Sequence, residues 1–346
     1  MATESVTPGI EFDVDRLDAF LREHVAGLEG PLQVHRISGG QSNPTFFLTY
    51  ANHRMVLRKK PAGAVLPSAH AVDREARVLT ALAETAIPVP RVLVFHPDAD
   101  VVGTPFYVME RVEGRVFGHC DLEGAAPADR HAMYMSYAET MARLHDVDWR
   151  GVGLADFGRP GGYFTRQISR WGKQWKAAWF RDIPDLVALE AWLLDHLPPD
   201  DGEAAICHGD FRIGNMMFHS TKPEIVAVLD WELSTIGHPM ADLGFSVISW
   251  RSAPEEYGGL LGHDLAALGI PSEAEFLDRY YATRQTAVAP LTPFHVAFAM
   301  FRFAVIFEGI AARARAGTAA GADAAQVGDL SIAFARHGLE ATQLPV

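Results

Sequence analysis

Cysteine is nearly missing from this chain: Cys120 and Cys207 are the only two in 346 residues. Two thiols cannot build a disulfide framework, which points to a reducing, cytoplasmic setting. A basic excess is missing as well. With a formal net charge of −13, binding driven by release of phosphate counterions is not expected, which argues against a nucleic-acid partner. Long apolar runs are lacking. The most apolar stretch, Val296 to Phe307, is too short to cross a bilayer and carries Arg302 in its middle, so no membrane partner is expected. The acidic N-terminus, Met1 to Asp13, has no apolar core of the kind a signal peptide needs. No repeats are visible, and the one low-complexity patch is the Ala/Gly-rich segment Ala316 to Ala325, which reads as a loop. What remains is a composition that is 49% apolar and 10% aromatic, enough for two packed lobes and too apolar for a disordered chain.

Apolar periodicity divides the chain near residue 113. Asp15 to Leu28 reads as a helix with Leu17, Phe20, Leu21 and Val25 on one face. Val34 to Ile37, Thr45 to Tyr50 and Met55 to Arg58 then read as strands of an antiparallel meander, broken by Gly39-Gly40-Gln41-Ser42-Asn43 and by Asn52-His53. Ser68 can cap a helix reaching Glu84. Val92 to His96 and Thr104 to Val112 form a further strand pair. Beyond Gly114 the pattern is helical: Pro127 to Leu144, Gly162 to Phe180, Leu186 to Leu197, Ala241 to Trp250, Glu273 to Ala289, Pro293 to Ala316 and Val327 to Gln343. Two short β-like stretches, Met216 to His219 and Ile225 to Leu229, interrupt it. The expected domains are therefore residues 1–113, mostly β, and 114–346, mostly helical.

The chemistry concentrates in Ile206-Cys207-His208-Gly209-Asp210-Phe211-Arg212-Ile213-Gly214-Asn215, followed by Val226-Ala227-Val228-Leu229-Asp230-Trp231-Glu232. An apolar strand ends at an Asp, an Asn follows five residues on, and a second apolar strand ends at another Asp. Phosphoryl transfer asks little covalent help of a protein; it needs an oriented hydroxyl and a divalent metal on the phosphates. Asp210 can accept a hydrogen bond from the attacking hydroxyl, while Asn215 and Asp230 are hard oxygen ligands suited to Mg²⁺.

With these residues the chain resembles the aminoglycoside phosphotransferase and choline kinase superfamily, relatives of the protein kinases, over about Ile37 to Gly244. The resemblance implies an α+β, protein-kinase-like bilobal fold with a small β-rich N-lobe and a larger helical C-lobe. It implies ATP and Mg²⁺ as cofactors, Asp210 as the catalytic aspartate, and Asn215 and Asp230 as metal ligands. His208 would support the catalytic loop and Asp242 would anchor it, although Asp242 also reads as a simple helix N-terminal acid. Gly39, Gly40 and Ser42 fall where the family has its nucleotide-phosphate loop. Arg58 and Glu75, seventeen residues apart, fall at the strand cation and helix glutamate that clamp the phosphates. The family's Lys is Arg58 here, and Lys60, on the same strand face, could serve in its place. Phe106 to Gly114 resembles the last N-lobe strand and hinge, with Met109 lining an adenine pocket and Glu110 C=O and Val112 N–H meeting the ring. Asp156-Phe157-Gly158 spells a protein-kinase metal motif on the wrong side of the catalytic loop, and no A-P-E segment follows; a protein kinase is not expected.

The acceptor is read from the segment between Gly151 and Pro198. Arg166, Arg170 and Lys173 stand there with Arg159, Lys176 and Arg181, and Trp171, Trp175 and Trp179 recur every four residues. Such a cluster suits an anionic acceptor bearing a hydroxyl better than a polycation. The same spacing also describes a core stripe of tryptophans with a solvated cationic face. Ser-Gly-Gly-Gln-Ser-Asn, Val-Leu-Arg-Lys-Lys-Pro and Leu-Asp-Trp-Glu-Leu-Ser-Thr-Ile-Gly look most like the kinase-like domain found fused to some acyl-CoA dehydrogenases, a branch that also has Arg in place of the Lys. That branch implies a hydroxy acid or hydroxyacyl-CoA as acceptor. The rival readings are an aminoglycoside kinase and a non-catalytic nucleotide- or CoA-binding module. Oligomeric state is open.

Overall fold

The computed structural model describes residues 10–37, 43–62, 71–317 and 324–343. The chain forms two compact units, Met1–Gly114 with Val226–Glu232, and Arg115–Ile225 with Leu233–Val346. The segment Val226–Glu232, which a linear reading leaves in the helical part, belongs to the first unit. The Val228 N–H donates to the Pro88 carbonyl there, at 2.8 Å.

In the first unit, helix α1 (Val14–His24) starts where Asp13 accepts hydrogen bonds from the Asp15 and Arg16 N–H groups. It stops four residues short of the expected end because Val25 is extended and Gly27 turns with φ +75°. Strands β1 (Gln33–Arg36), β2 (Thr45–Thr49), β3 (Arg54–Lys59), β4 (Val92–His96) and β5 (Phe106–Glu110) make one sheet in the order β1-β2-β3-β5-β4. Every pairing is antiparallel. Alternation along β3 sends Met55, Leu57 and Lys59 to the buried face, where Leu17, Leu21, Phe46, Leu48, Phe106 and Val108 complete the core. Arg58 therefore points the other way. Helix α2 (Val72–Leu82) carries Glu75 in its first turn; Ser68, the expected cap, lies outside the described residues.

The second unit contains β6 (Arg115–Val116), α3 (Pro127–His145), α4 (Tyr163–Ala177), α5 (Pro184–Asp195), β7 (Ala205–Cys207), β8 (Met216–Phe218) and the start of β9 (Ile225–Val228). Then come β10 (Thr235–Gly237), α6 (Pro239–Ser246), α7 (Leu265–Leu268), α8 (Glu273–Thr283), α9 (Pro293–Arg315), α10 (Ala324–Gly328) and α11 (Leu330–Ala341). Strand β7 pairs antiparallel with β10, and β6 with β8. The expected helix from Ala241 to Trp250 is α6 followed by a 3₁₀ turn, Val247–Arg251. The helix expected to reach Ala289 ends at Thr283, where Arg284 turns extended and pairs with Asp146 at 2.8 Å. Helix α9 is longer than the apolar stretch read from the sequence. By length and composition it could cross a membrane, yet most of it is buried inside the structure, as the core helix of a folded unit would be.

Candidate active site

Three charged side chains of the first unit meet over β3 and α2. The Arg58 guanidinium reaches Glu75 through Nε (3.3 Å) and Asp230 through Nη2 (3.1 Å). Glu75 is fully buried and also accepts from Asn43 Nδ2 (3.0 Å) and the Tyr107 hydroxyl (2.8 Å). Burial pushes the Glu75 carboxyl up, against the opposing pull of Arg58 and these two donors. Burial would lower the Arg58 pKa, but Glu75, Tyr107 and Asp230 together hold it above its ordinary value. Asp230 sits in the left-handed region with φ 65°, a conformation Asp tolerates better than most residues. Only one of its oxygens is taken by Arg58; the other has no hydrogen-bond partner among the described residues. Carboxylate oxygens of Glu75, Asp230 and Glu232 lie within 4.8 Å of one another, a donor set of the hard-oxygen kind that Mg²⁺ accepts.

The structure separates the neighbouring lysines from this group. Lys59 is buried on the core face, donating to the Val102 carbonyl at 2.7 Å. Lys60 makes no ion pair among the described residues, so Arg58 alone of the two candidates joins Glu75 and Asp230. Met109 is buried in β5 and Glu110 is exposed at its end. Just beyond, the Val112 N–H has no hydrogen-bond partner among the described residues. Gly39, Gly40 and Ser42 lie outside the described residues.

In the second unit the loop after β7 is held from several sides. Asp242 at the start of α6 accepts from the backbone N–H of His208 (2.6 Å) and of Gly209 (2.9 Å). Burial would raise its carboxyl, but His145, His208 and the Gly209 N–H outweigh that and keep it below the usual range. His145, 3.6 Å away, is itself lowered by burial, so the neutral ring faces a charged Asp242. Arg302, in the middle of α9 and 6% exposed, donates to the Gly209 carbonyl. The Tyr137 and Ser246 hydroxyls both donate to the Phe211 carbonyl, at 2.6 and 3.0 Å. Gly209 needs its missing side chain: φ is +83°, and a Cβ would stand 2.6 Å from the Leu233 carbonyl oxygen. Asp242 thus anchors the loop, and Arg302, Tyr137 and Ser246, which sequence reasoning did not assign, anchor it as well.

Within that loop His208 is fully buried and accepts the Asp210 N–H on Nδ1 at 3.1 Å. Asn215 Nδ2 donates to the Asp210 carbonyl (2.9 Å) and to Asp210 Oδ2 (2.8 Å). Arg212 Nε lies 3.4 Å from the same Oδ2. Asp210 Oδ1 and Asn215 Oδ1 have no hydrogen-bond partner among the described residues, so each remains available to a ligand. Arg212 also stacks over the ring of Tyr257 (5.3 Å), a residue held at φ 79°. Arg212 and Tyr257 line a cleft with Cys120, Ser249 and Phe303. Arg212 stands inside the quoted motif, and its place two residues after Asp210 was the signal available for it.

The expected acceptor cluster on α4 is only partly presented. Trp171 and Trp175 are 8% and 1% exposed, so they are core residues and not an acceptor-binding face. The spacing of four that marked them is the repeat of a buried helix stripe. Arg166 is engaged with the backbone carbonyls of Gly161 and Arg159. Lys176 pairs with Glu190 and Arg181 with Glu308 and Asp329. Arg170, lying over Trp171 at 5.5 Å, and Lys173 remain exposed.

Comparison with known proteins gives these geometries a family. A protein of Ralstonia eutropha named for the aminoglycoside phosphotransferases superposes with a TM-score of 0.87 at 43% identity, covering 96% of this chain and 98% of its own. Chicken acyl-CoA dehydrogenase family member 11 is 40% identical over 346 residues, 98% of this chain and 44% of that protein, so the chain spans under half the length of this relative. A thermostable mutant of aminoglycoside phosphotransferase APH(4)-Ia, solved with ADP and hygromycin B, shares the fold at 16% identity, TM-score 0.61, covering 93% and 98% of the two chains. These neighbours and the antiparallel sheet followed by a helical part agree with a kinase-like bilobal α+β fold. The model of the phosphotransferase enzyme family matches residues 33–292, and this chain belongs to that family.

Proposed function

We propose that this chain transfers the γ-phosphoryl group of ATP to the hydroxyl of a small anionic molecule, a hydroxy acid or hydroxyacyl-CoA. The observation that carries the reading is the Arg212 guanidinium beside Asp210. One carboxylate oxygen is occupied by Asn215 and Arg212 and the other is free for an alcohol. An acceptor with an anionic group near its hydroxyl satisfies both residues at once. Asp210 then accepts the hydroxyl proton as the oxygen attacks phosphorus and the bond to the β-phosphate oxygen of the departing ADP breaks.

In the first unit, Arg58 is the phosphate-binding cation, oriented by Glu75, and Val112 offers its N–H to an adenine edge. Asn215 and Asp230 each keep an oxygen free for Mg²⁺, which when bound neutralises charge on the phosphates. Two independent leads bear on the acceptor. The relative that is an acyl-CoA dehydrogenase family member supports an acyl-CoA-type anion. The names of the structural neighbours support an aminoglycoside instead.

An ADP-release screen over hydroxyacyl-CoAs, free hydroxy acids, aminoglycosides and choline tests this. ADP release with an anionic acceptor is expected, lost about 10²- to 10⁴-fold in Asp210→Asn while ATP still binds. Turnover confined to aminoglycosides would replace the acceptor class. Nucleotide binding without ADP release over the whole panel would mark a non-catalytic binding module.

A further inference from the structure

Behind Asp242, on the side away from the loop it grips, stands a buried polar chain that the proposed chemistry does not use. His145 ends α3, and Tyr280 stands in α8 one turn before Arg284, the residue at which that helix stops. The chain runs between these two packed helices. Arg284 Nη1 donates to the Tyr280 hydroxyl at 2.9 Å, and that hydroxyl lies 2.7 Å from His145 Nδ1. His145 Nε2 in turn lies 3.6 Å from Asp242 Oδ2. Arg284 is itself fixed: its Nε donates to Asp146 Oδ1 at 2.8 Å and its Nη2 to Thr286 Oγ1 at 2.7 Å.

The protons of this chain can be placed in one way. A guanidinium donates and never accepts, so one lone pair of the Tyr280 oxygen is taken. Tyr280 is fully buried, and burial pushes its pKa up, so the hydroxyl keeps its proton. A buried O–H needs an acceptor, and His145 Nδ1 is the one in reach among the described residues. Nδ1 therefore carries the lone pair of the neutral ring and Nε2 carries its proton. Nε2 is buried and makes no hydrogen bond among the described residues, so its N–H dipole is left facing the Asp242 carboxylate. The reverse tautomer would aim a lone pair at the same carboxylate oxygen in a dry interior. The direction of the Tyr280 hydroxyl thus decides whether His145 attracts or repels Asp242. The stake is the loop itself, because the Oδ2 facing His145 is the oxygen that accepts the His208 N–H at 2.6 Å.

From this geometry we infer that Tyr280 is a positioning residue for phosphoryl transfer: its hydroxyl, aimed by Arg284, holds His145 with Nε2–H toward Asp242, and Asp242 in that state keeps the catalytic loop in place. Tyr280 acts through His145 and meets no ligand itself. The kinetic consequence rests on the phosphoryl-transfer reading above, whereas the state of the His145 ring does not.

Tyr280→Phe tests the inference, because it removes the hydroxyl and keeps the ring that stands edge-on to His145 at 5.7 Å. Two readouts are taken on the full chain: the nitrogen NMR signals of the His145 ring, and kcat and KM from ADP release. The wild-type ring should be a single species protonated on Nε2, and in Tyr280→Phe the proton should no longer be confined to that nitrogen. The variant should lose kcat about fivefold, the equivalent of one neutral hydrogen bond, with the KM for ATP unchanged. In a His145→Phe background, which has no imidazole to orient, adding Tyr280→Phe should change kcat by less than about twofold. A wild-type ring protonated on Nδ1, or a ring still confined to Nε2–H in Tyr280→Phe, would overturn the inference. So would equal losses of kcat in the two backgrounds, which would make Tyr280 a packing residue. A wild-type protein that releases no ADP would refute the phosphoryl-transfer reading instead, and the ring signals would still decide whether Tyr280 sets the state of His145.

Discussion

In the first unit the functional side chains are charged and hold one another: Arg58 spans Glu75 and Asp230, and neutral donors, Asn43 and Tyr107, complete the buried carboxylate. In the second unit the functional loop is held by its backbone. Asp242 takes two N–H groups, and Arg302, Tyr137 and Ser246 take two carbonyls. The contrast follows from what each part would do in the proposed reaction. A phosphate-binding cation has to keep an exposed edge for its ligand, so its orientation comes from a partner charge. A carboxylate that meets an acceptor must keep an oxygen free, so its position comes from the main chain on either side of it. Damage in the first unit should therefore appear in nucleotide affinity, and damage in the second in turnover.

The sharpest break of this contrast is Asp242→Ala. It strips acceptors from two buried N–H groups at once, and charged hydrogen bonds of this kind are worth about 1.5–3 kcal/mol each. Denaturant unfolding should show a loss of several kcal/mol, with ADP release close to background. A variant that keeps wild-type stability would mean the loop does not depend on α6.

Glu75→Gln is the counterpart in the first unit. The amide keeps a partner for Tyr107 and Asn43 but no longer draws Arg58, which stays with Asp230. The KM for ATP should rise about tenfold, the equivalent of ~1.4 kcal/mol, with kcat little changed. A fall in kcat at constant KM would reverse the assignment of the two units.

Arg302→Met separates turnover from stability within the second unit. The guanidinium is buried against Trp171 and Phe245, at 5.7 and 5.4 Å, and has no carboxylate partner among the described residues. Replacing a desolvated cation by an apolar side chain of similar length is often neutral for stability or even favourable. Unfolding should therefore shift by less than about 1 kcal/mol, while kcat drops severalfold because the Gly209 carbonyl has lost its donor. Equal losses of stability and activity would make Arg302 a packing residue only.

How much of this was legible beforehand depends on sequence distance. Asp210, Asn215 and Asp230 stand within twenty-one residues, and their order relative to two apolar strands is enough to find them. Arg58 and Glu75 follow from strand alternation and helix register. The contacts that hold the loop come from Tyr137, Asp242, Ser246 and Arg302, up to ninety-three residues away, and no local pattern marks such pairs; only Asp242 was within reach, through its neighbouring motif. Trp171 and Trp175 were ambiguous for a physical reason: a spacing of four places residues on one helix face without saying whether that face meets a ligand or a core. Arg166 could not be read as engaged, because its partners are backbone carbonyls that exist only once Gly161 turns left-handed.

One further expected effect vanishes at neutral pH. His295 is buried and neutral, with its pKa lowered to about 3, whereas an unfolded histidine titrates near 6.5. Between these values the unfolded chain binds a proton that the native state refuses, so stability from this group is complete above about pH 6.5 and declines as pH falls. At pH 5 the loss amounts to ~2 kcal/mol. His145, lowered by burial beside Asp242, adds to the decline in the same direction. His295→Phe removes the proton site together with the Thr292 cap, so its stability should be lower at every pH but fall less between pH 7 and pH 5 than that of the wild type. Parallel profiles for the two proteins would show that His295 charges freely in the native state, and that the second unit does not bury its imidazoles neutral.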